Sequence, residues 1–329
     1  MSRDQLPDSD REFLDDFDLE NMPEIAAPPR PDLDDPRVGF FPGIDPATYH
    51  ADPIEEGSLS NSGIKVLLDE SPLDFAYQHP RLNPDAMESV ADTAAKQRGD
   101  LVHQLALGKG RGYAVGDFPD WRTKAAREFR DAAIADGAVP ALRGPFEEAQ
   151  IMADVIIERV KRILDGASYE TEVAIIWIED TPEGQIYCRG LIDIWCEERL
   201  IILDPKVTAL LGNGKPGEEK INRHMVNMGW DYQAGFYVRG VERLLPHAEG
   251  KVRFGNLMIK PSEPFTSRLL WPDYIARRTA LYEMRPALEL FAKCQREGRW
   301  PGYPEEGETL SLPSFIESRR LDAEIKVNG

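Results

Sequence analysis

Three β-rich runs follow one another between residues 171 and 207, and this feature most constrains the fold. The runs are TEVAIIWIED, GQIYCRGLIDIWCE and RLIILDPKV, separated only by the short turn-like stretches TPEG and EER. Runs rich in β-branched and aromatic residues with such short gaps predict three neighbouring antiparallel strands. The centre of the chain is therefore predicted to be a β-meander.

Helical patterns surround this meander on both sides. The predicted helices cover a capped segment after Ser60, then 90–107, 120–136, 145–164, 220–245 and 272–298, and VRFGNLMIK predicts a further strand. This order of elements predicts a mixed α/β domain with a central sheet flanked by helices. The order is helices, a meander, a helix, a strand and a helix.

The acidic charge of the chain is concentrated at its start. The net charge is −19 overall, and residues 1–60 contain 16 acidic and 4 basic side chains. We therefore predict an acidic, proline-rich, disordered or loosely attached arm over 1–57, a folded domain over 58–315 and a tail over 316–329. The remaining 269 residues carry a net charge of −7, which still permits a local basic track for nucleic acid.

The sequence offers no sign of a membrane or secretory protein. It has no run of about 18 apolar residues, and the stretch MSRDQLPDSDREFLDD lacks the apolar core of a signal peptide. The three cysteines are too few and too scattered for a disulfide framework. We expect a cytoplasmic protein with reduced thiols.

Two acidic residues and a lysine form the strongest chemical pattern. Asp193 ends the apolar run CRGLID, and eleven residues later Asp204 ends LIILD, followed by Lys206. If the two strands pair, their carboxylates meet at one edge of the sheet, where a divalent cation between them would relieve their repulsion. Asp204 and Lys206 face the same way on a strand. Such a short pattern also fits an exposed hairpin with an ion pair.

Four further residues carry weak signals when each is taken alone. His103 lies on an otherwise apolar helical segment, where a histidine is more often a satisfied core residue than a ligand. Glu172 opens the first strand of the meander and fits a solvated strand end. Gln233 and Tyr237 are four residues apart and share a helical face.

Taken in order, these segments resemble a known family. The segments that carry the resemblance are GDLVH, TEVAIIW, GLID with DPK, and YQAGFY. The series resembles the RecB-like branch of the PD-(D/E)XK nucleases, and most closely its phage and prophage exonuclease VIII (RecE-like) group. That family has a G-x-x-x-H helix, an acidic strand, a G-x-x-D strand, a D-x-K strand and a Q-x-x-x-Y helix. The resemblance spans about 58–315 and implies a restriction-endonuclease-like core.

The resemblance also implies roles for individual residues. Asp193, Asp204, Lys206 and Glu172 are expected to be catalytic, and the expected metal ligands are His103, Asp193, Asp204 and the Pro205 carbonyl. The expected cation is Mg²⁺, for which Mn²⁺ can substitute. Two positions depart from the family pattern: Pro205 replaces a bulky apolar residue and Val207 replaces a threonine. Proline removes a ladder donor and belongs at an edge or a bulge.

The implied activity is resection of one strand from the ends of linear double-stranded DNA, in phage-type recombination. The expected substrate contacts are Gln233, Tyr237, Arg98, Arg111, Lys124 and Lys220. The expected partners are DNA ends, a single-strand annealing protein and further copies of the chain, which can form a ring. The sequence leaves two alternatives open: a structure-specific endonuclease on the same fold, and a catalytically weakened DNA-binding protein.

Overall fold

The structure is a computed structural model. It describes residues 35–85, 94–110, 112–215 and 218–307, together with positions 309, 311 and 316. In this part of the chain no helix is both long and apolar enough to cross a membrane.

The described residues form nine strands and nine α-helices. The strands are β1 Gly39–Pro42, β2 Leu59–Ser60, β3 Tyr113–Gly116, β4 Val139–Leu142, β5 Glu170–Thr181, β6 Gly184–Cys196, β7 Ile201–Val207, β8 Arg253–Ile259 and β9 Ser267–Leu270. The helices are α1 Pro46–His50, α2 Asn61–Asp69, α3 Pro72–Gln78, α4 Ala94–Leu107, α5 Lys124–Ala135, α6 Arg143–Leu164, α7 Glu219–Asn227, α8 Trp230–Leu244 and α9 Tyr274–Glu297.

The central sheet contains seven strands. Six follow the order β1-β5-β6-β7-β8-β9, and β2 pairs with β6 beside that path. The predicted meander is β5-β6-β7, which is antiparallel throughout, whereas β8 runs parallel to β7. The mixed α/β fold with a central mixed sheet is therefore confirmed.

Helices cover both faces of this sheet. On one face α2, α3, α8 and α9 pack over a core that includes Trp177, Phe236 and Phe291. On the other face α4 and α6 pack over a second core that includes Met152 and Ile156. Every third or fourth residue of α6 is apolar and buried, because the helix lays one face on the sheet.

A split in the sheet positions the candidate site. β5 pairs with one edge of β6 along almost its whole length. On the opposite edge, β2 pairs only with Cys188 and Arg189, while β7 pairs only with Ile194, Trp195 and Cys196. Among the described residues, positions 190–193 of β6 have no strand partner on that edge. The sheet is therefore open at Asp193.

Two predictions about organisation were wrong. The predicted arm over 1–57 extends too far, because β1 pairs with β5 and α1 carries an Asp45 N-cap; positions 1–34 lie outside the described residues. The single helix predicted over 220–245 is two helices, α7 and α8. They are separated at Gly229, whose φ of 62° lies in the left-handed region that favours glycine.

Candidate active site

The two predicted aspartates come together where the ladder between β6 and β7 ends. The β6–β7 ladder ends at the pair Ile194 and Leu203. Asp193 and Asp204 are the next residues on each strand, so they face each other where the strands separate. Asp204 is almost completely buried, and Asp193 is mostly shielded from solvent. The carboxylates thus lie inside the split rather than on an exposed hairpin.

His103 lies between two acidic side chains, Asp193 and Glu172. His103 Nε2 lies 3.2 Å from Asp193 Oδ1, and its Nδ1 lies 3.6 Å from Glu172 Oε1. Glu172 is on β5 and has a φ of 48°, an uncommon conformation for a residue with a side chain. Strained backbone of this kind is concentrated at functional sites.

Lys206 and Gln233 hold the two oxygens of Asp204. Lys206 Nζ lies 2.7 Å from Oδ2, and Gln233 Nε2 donates to Oδ1 at 2.8 Å. Gln233 comes from α8 and His103 from α4, so the helix layers on the two faces of the sheet both contribute side chains. Pro205 lies on the part of β7 that has no β6 partner, where a proline is tolerated as at an edge.

The electrostatics of this group are those of a crowded acidic site. Burial, together with the charge of Asp193, outweighs Lys206 and raises the pKa of Asp204 to about 6. Burial opposes a charge on His103, but attraction to Asp193, Glu172 and Asp204 raises the pKa of His103 to about 9. His103 and Lys206 likewise lower the pKa of Asp193 against the effect of burial.

The donor set fits a divalent cation in chemistry but not in its present arrangement. Three carboxylates and an imidazole suit Mg²⁺ or Mn²⁺, and Asp204 Oδ2 is buried without a well-formed hydrogen bond. No three His, Cys, Asp or Glu side chains among the described residues are placed to hold a metal as they stand. In the present arrangement His103 and Lys206 pair with the carboxylates instead.

Tyr237 lies in a packing contact with β6. It was predicted to contact substrate, but it is buried and packs against Gly190, where an added Cβ would lie 2.9 Å from its ring. Gly190 and Tyr237 therefore belong to one packing contact that supports β6 beside Asp193. Burial raises the pKa of the Tyr237 hydroxyl well above its usual value. The side chain of Tyr237 therefore packs beneath β6 at the edge of the candidate site.

The predicted basic contacts are dispersed. The Arg98 side chain, on α4, donates to the Pro261 carbonyl at 3.5 Å, and Lys124 is exposed on α5 beside Glu128. Lys220 lines a cavity of about 290 Å³ with Leu210, Glu219, Arg223, His224 and Asn227. Arg111 lies outside the described residues.

Sequence reasoning missed two residues beside the site. Lys65, on α2, donates to the Met228 carbonyl at 2.9 Å, and burial and then the nearby charge of Lys206 lower its pKa. Asn256, on β8, is the register partner of Asp204 and is fully buried. No pattern in the sequence distinguished either residue from an ordinary helix or strand position.

Comparison with solved structures supports the fold assignment. A crystal structure of a "Putative exonuclease" from Eubacterium rectale aligns with a TM-score of 0.53 at 15% identity, covering 83% of this chain and 97% of that chain. Identity at this level shows the fold alone. The crystal structure of SSO0001 aligns with a TM-score of 0.26 at 13% identity, covering 58% of this chain and 84% of that chain, too weak for any argument.

No protein-family model and no curated protein matches the chain. The fold and the side chains together define a class: a mixed α/β protein with two carboxylates shielded from solvent, a lysine and a histidine in a split of its central sheet. In fold the chain is similar to the Eubacterium rectale protein.

Proposed function

We propose that this chain is a metal-dependent deoxyribonuclease that degrades linear double-stranded DNA from its ends. The observation that carries the proposal is the convergence of His103, Asp193, Asp204 and Lys206, from one helix and two strands, in the split of the sheet. Acids, a histidine and a lysine in this arrangement suit phosphodiester hydrolysis. The fold shared with a protein described as an exonuclease supports the same reading.

Asp193 and Asp204 are the proposed main ligands, with His103, Glu172 and the Pro205 carbonyl completing the set. A bound Mg²⁺ or Mn²⁺ would neutralise the carboxylates and polarise the scissile phosphate. Gln233 fixes the orientation of Asp204 through the hydrogen bond to Oδ1. A ligand held in this way keeps its geometry when Lys206 moves away.

Lys206 has two roles in this proposal. Without substrate its ammonium pairs with Asp204, which offsets the repulsion between the two aspartates. With substrate it turns toward the scissile phosphate, where its charge offsets the negative charge that develops during attack and its N–H groups orient the attacking water. Lys65, the second lysine beside the site, adds positive potential on the side of α2.

The direct test is a time course on end-labelled linear duplex with Mg²⁺ and with chelator, beside a closed circular duplex. We expect the linear DNA to be shortened from its ends only with the cation, and the circle to stay intact. Cutting of the circle would replace the exonuclease with an endonuclease. Salt-sensitive binding without degradation would favour a DNA-binding protein with no catalytic role.

Lys206→Met provides the matched variant for this assay. It keeps the length and packing of the side chain but removes the charge, so cleavage should fall at least about a hundredfold. Glu158→Gln changes an exposed residue of α6 that pairs with Lys161 and should cleave at the wild-type rate. Equal rates for wild type and Lys206→Met would overturn the mechanism.

The proposal extends to a biological setting. The single strands left by resection would serve an annealing protein in phage-type recombination, inside the cytoplasm of a bacterial host. A ring of several copies would keep the enzyme on its DNA. The degree of association, measured by light scattering on the full chain, tests the ring independently of the cleavage assay.

A further inference from the structure

Asn256 is a buried polar residue that contributes nothing visible to stability. Its side chain is fully buried, and neither its Nδ2 nor its Oδ1 has a hydrogen-bond partner among the residues that the structure describes. An unpaired buried amide destabilises a fold, because it loses its hydrogen bonds to water without replacing them. An apolar residue of similar size would make β8 more stable. A role other than stability therefore accounts for the asparagine.

The position of Asn256 indicates what that role is. In the parallel β7–β8 ladder it is the register partner of Asp204, and Met258 is the partner of Lys206. Register partners on neighbouring strands lie about 5 Å apart and project from the same face of the sheet. The unpaired amide is thus next to the carboxylate at the centre of the candidate site, on the face covered by α8.

We propose that Asn256 is a positioning residue for Asp204, and that its Nδ2 donates to this carboxylate when Lys206 turns to the substrate phosphate. The inference rests on the proposed function. In the present arrangement Lys206 occupies Oδ2 and Gln233 occupies Oδ1. Departure of Lys206 removes one of these two partners. Asn256 is a neighbour with a free donor. Its neutral hydrogen bond replaces the charged contact from Lys206 and leaves the carboxylate available to a cation.

The alternative is that Asn256 is only an imperfect core residue. Apolar residues near this end of the sheet include Met258, Trp230 and Leu270, and a core residue in such surroundings affects activity only through stability. The two explanations predict opposite relations between stability and function. Variants that separate the two quantities decide between them.

The test uses Asn256→Leu and Asn256→Ser in the full-length chain. Leucine removes the unpaired amide and keeps the volume, so Tm should rise by about 2 °C. Serine keeps a donor but leaves space, so Tm should fall. Cleavage and Mn²⁺ affinity measured by titration calorimetry should follow a different order: wild type first, then serine, then leucine, with a loss of about tenfold or more for leucine.

Ile259→Val is the matched control. It lies on the same strand in the core on the opposite face, so it should lower Tm slightly and leave both Mn²⁺ affinity and cleavage unchanged. If the leucine variant cleaves and binds Mn²⁺ like an active wild type, or if its activity simply follows Tm, the positioning role is overturned alone. A wild-type chain that neither binds Mn²⁺ nor cuts DNA overturns the proposed function and this inference together.

Discussion

Two buried aspartates of this chain have opposite surroundings. Asp52, between α1 and β2, accepts hydrogen bonds from the backbone of Ile54 and Ser58, the Ser58 hydroxyl and Arg189, whose Nη1 lies 2.7 Å away. His79 Nε2 adds a contact at 3.2 Å. Asp204 has one neutral donor, one lysine and a second carboxylate beside it. The first carboxylate is fully satisfied and the second is not.

The pKa values of the two carboxyl groups shift in opposite directions, as their surroundings require. Burial opposes ionisation of Asp52, but His79, Arg189 and the backbone donors outweigh it and lower its pKa. Burial dominates at Asp204 and raises its pKa to about 6. A buried carboxylate stabilises a fold when its neighbours donate hydrogen bonds and positive charge to it. A buried carboxylate beside a second carboxylate is instead suited to binding a cation. On this difference we expect Asp52 to serve the stability of the fold and Asp204 to serve the proposed function.

Replacing Asp204 should have the largest effect on activity. Asp204→Asn keeps the shape of the side chain and removes its charge, so cleavage should fall by about a thousandfold in the end-labelled duplex assay. Stability should be unchanged or higher, because the repulsion between Asp193 and Asp204 disappears. A loss of activity matched by a loss of Tm would contradict the functional assignment, since the variant would then simply be misfolded.

Much of this arrangement can be predicted from local patterns. The β-rich runs and the Asp193, Asp204 and Lys206 spacing predict the meander and the place where its acids meet, because both depend on residues close in sequence. The split in the sheet depends instead on the two residues Leu59 and Ser60 of β2. A strand of two residues is too short to show a period, so sequence reasoning could not place it.

The Asp52 cluster shows the same limit. Its ion-pair partner Arg189 is 137 residues away in the sequence, and the segment around Asp52 is acidic and rich in proline. Composition alone therefore predicts a loose arm where the structure has an anchored loop. Which residue pairs with a buried charge depends on the tertiary structure, and composition carries no information about it.

Replacing Asp52 should have the complementary effect. Asp52→Asn leaves the buried Arg189 without its ion-pair partner, and removal of one partner from such a pair costs about 3 kcal/mol. Urea unfolding followed by circular dichroism measures this loss. Cleavage per folded molecule should stay close to the wild-type rate, because Asp52 lies outside the proposed metal ligands. A drop in rate as large as that of Asp204→Asn would remove the distinction between the two carboxylates.

The smallest effect should be the pH dependence of the stability difference between wild type and Asp52→Asn. The folded pKa of Asp52 is depressed below its ordinary value of 3.8, so its contribution is complete above that value. As the pH falls further, the unfolded chain takes up the proton first, and the contribution declines through the folded pKa.

The stability gap between wild type and Asp52→Asn should therefore be constant from pH 7 to about pH 5 and shrink toward pH 3. Urea titrations of both proteins across this range measure the gap, and subtraction removes the other carboxylates. A gap that stays constant to pH 3 would mean that the charge of Asp52 contributes nothing to the fold.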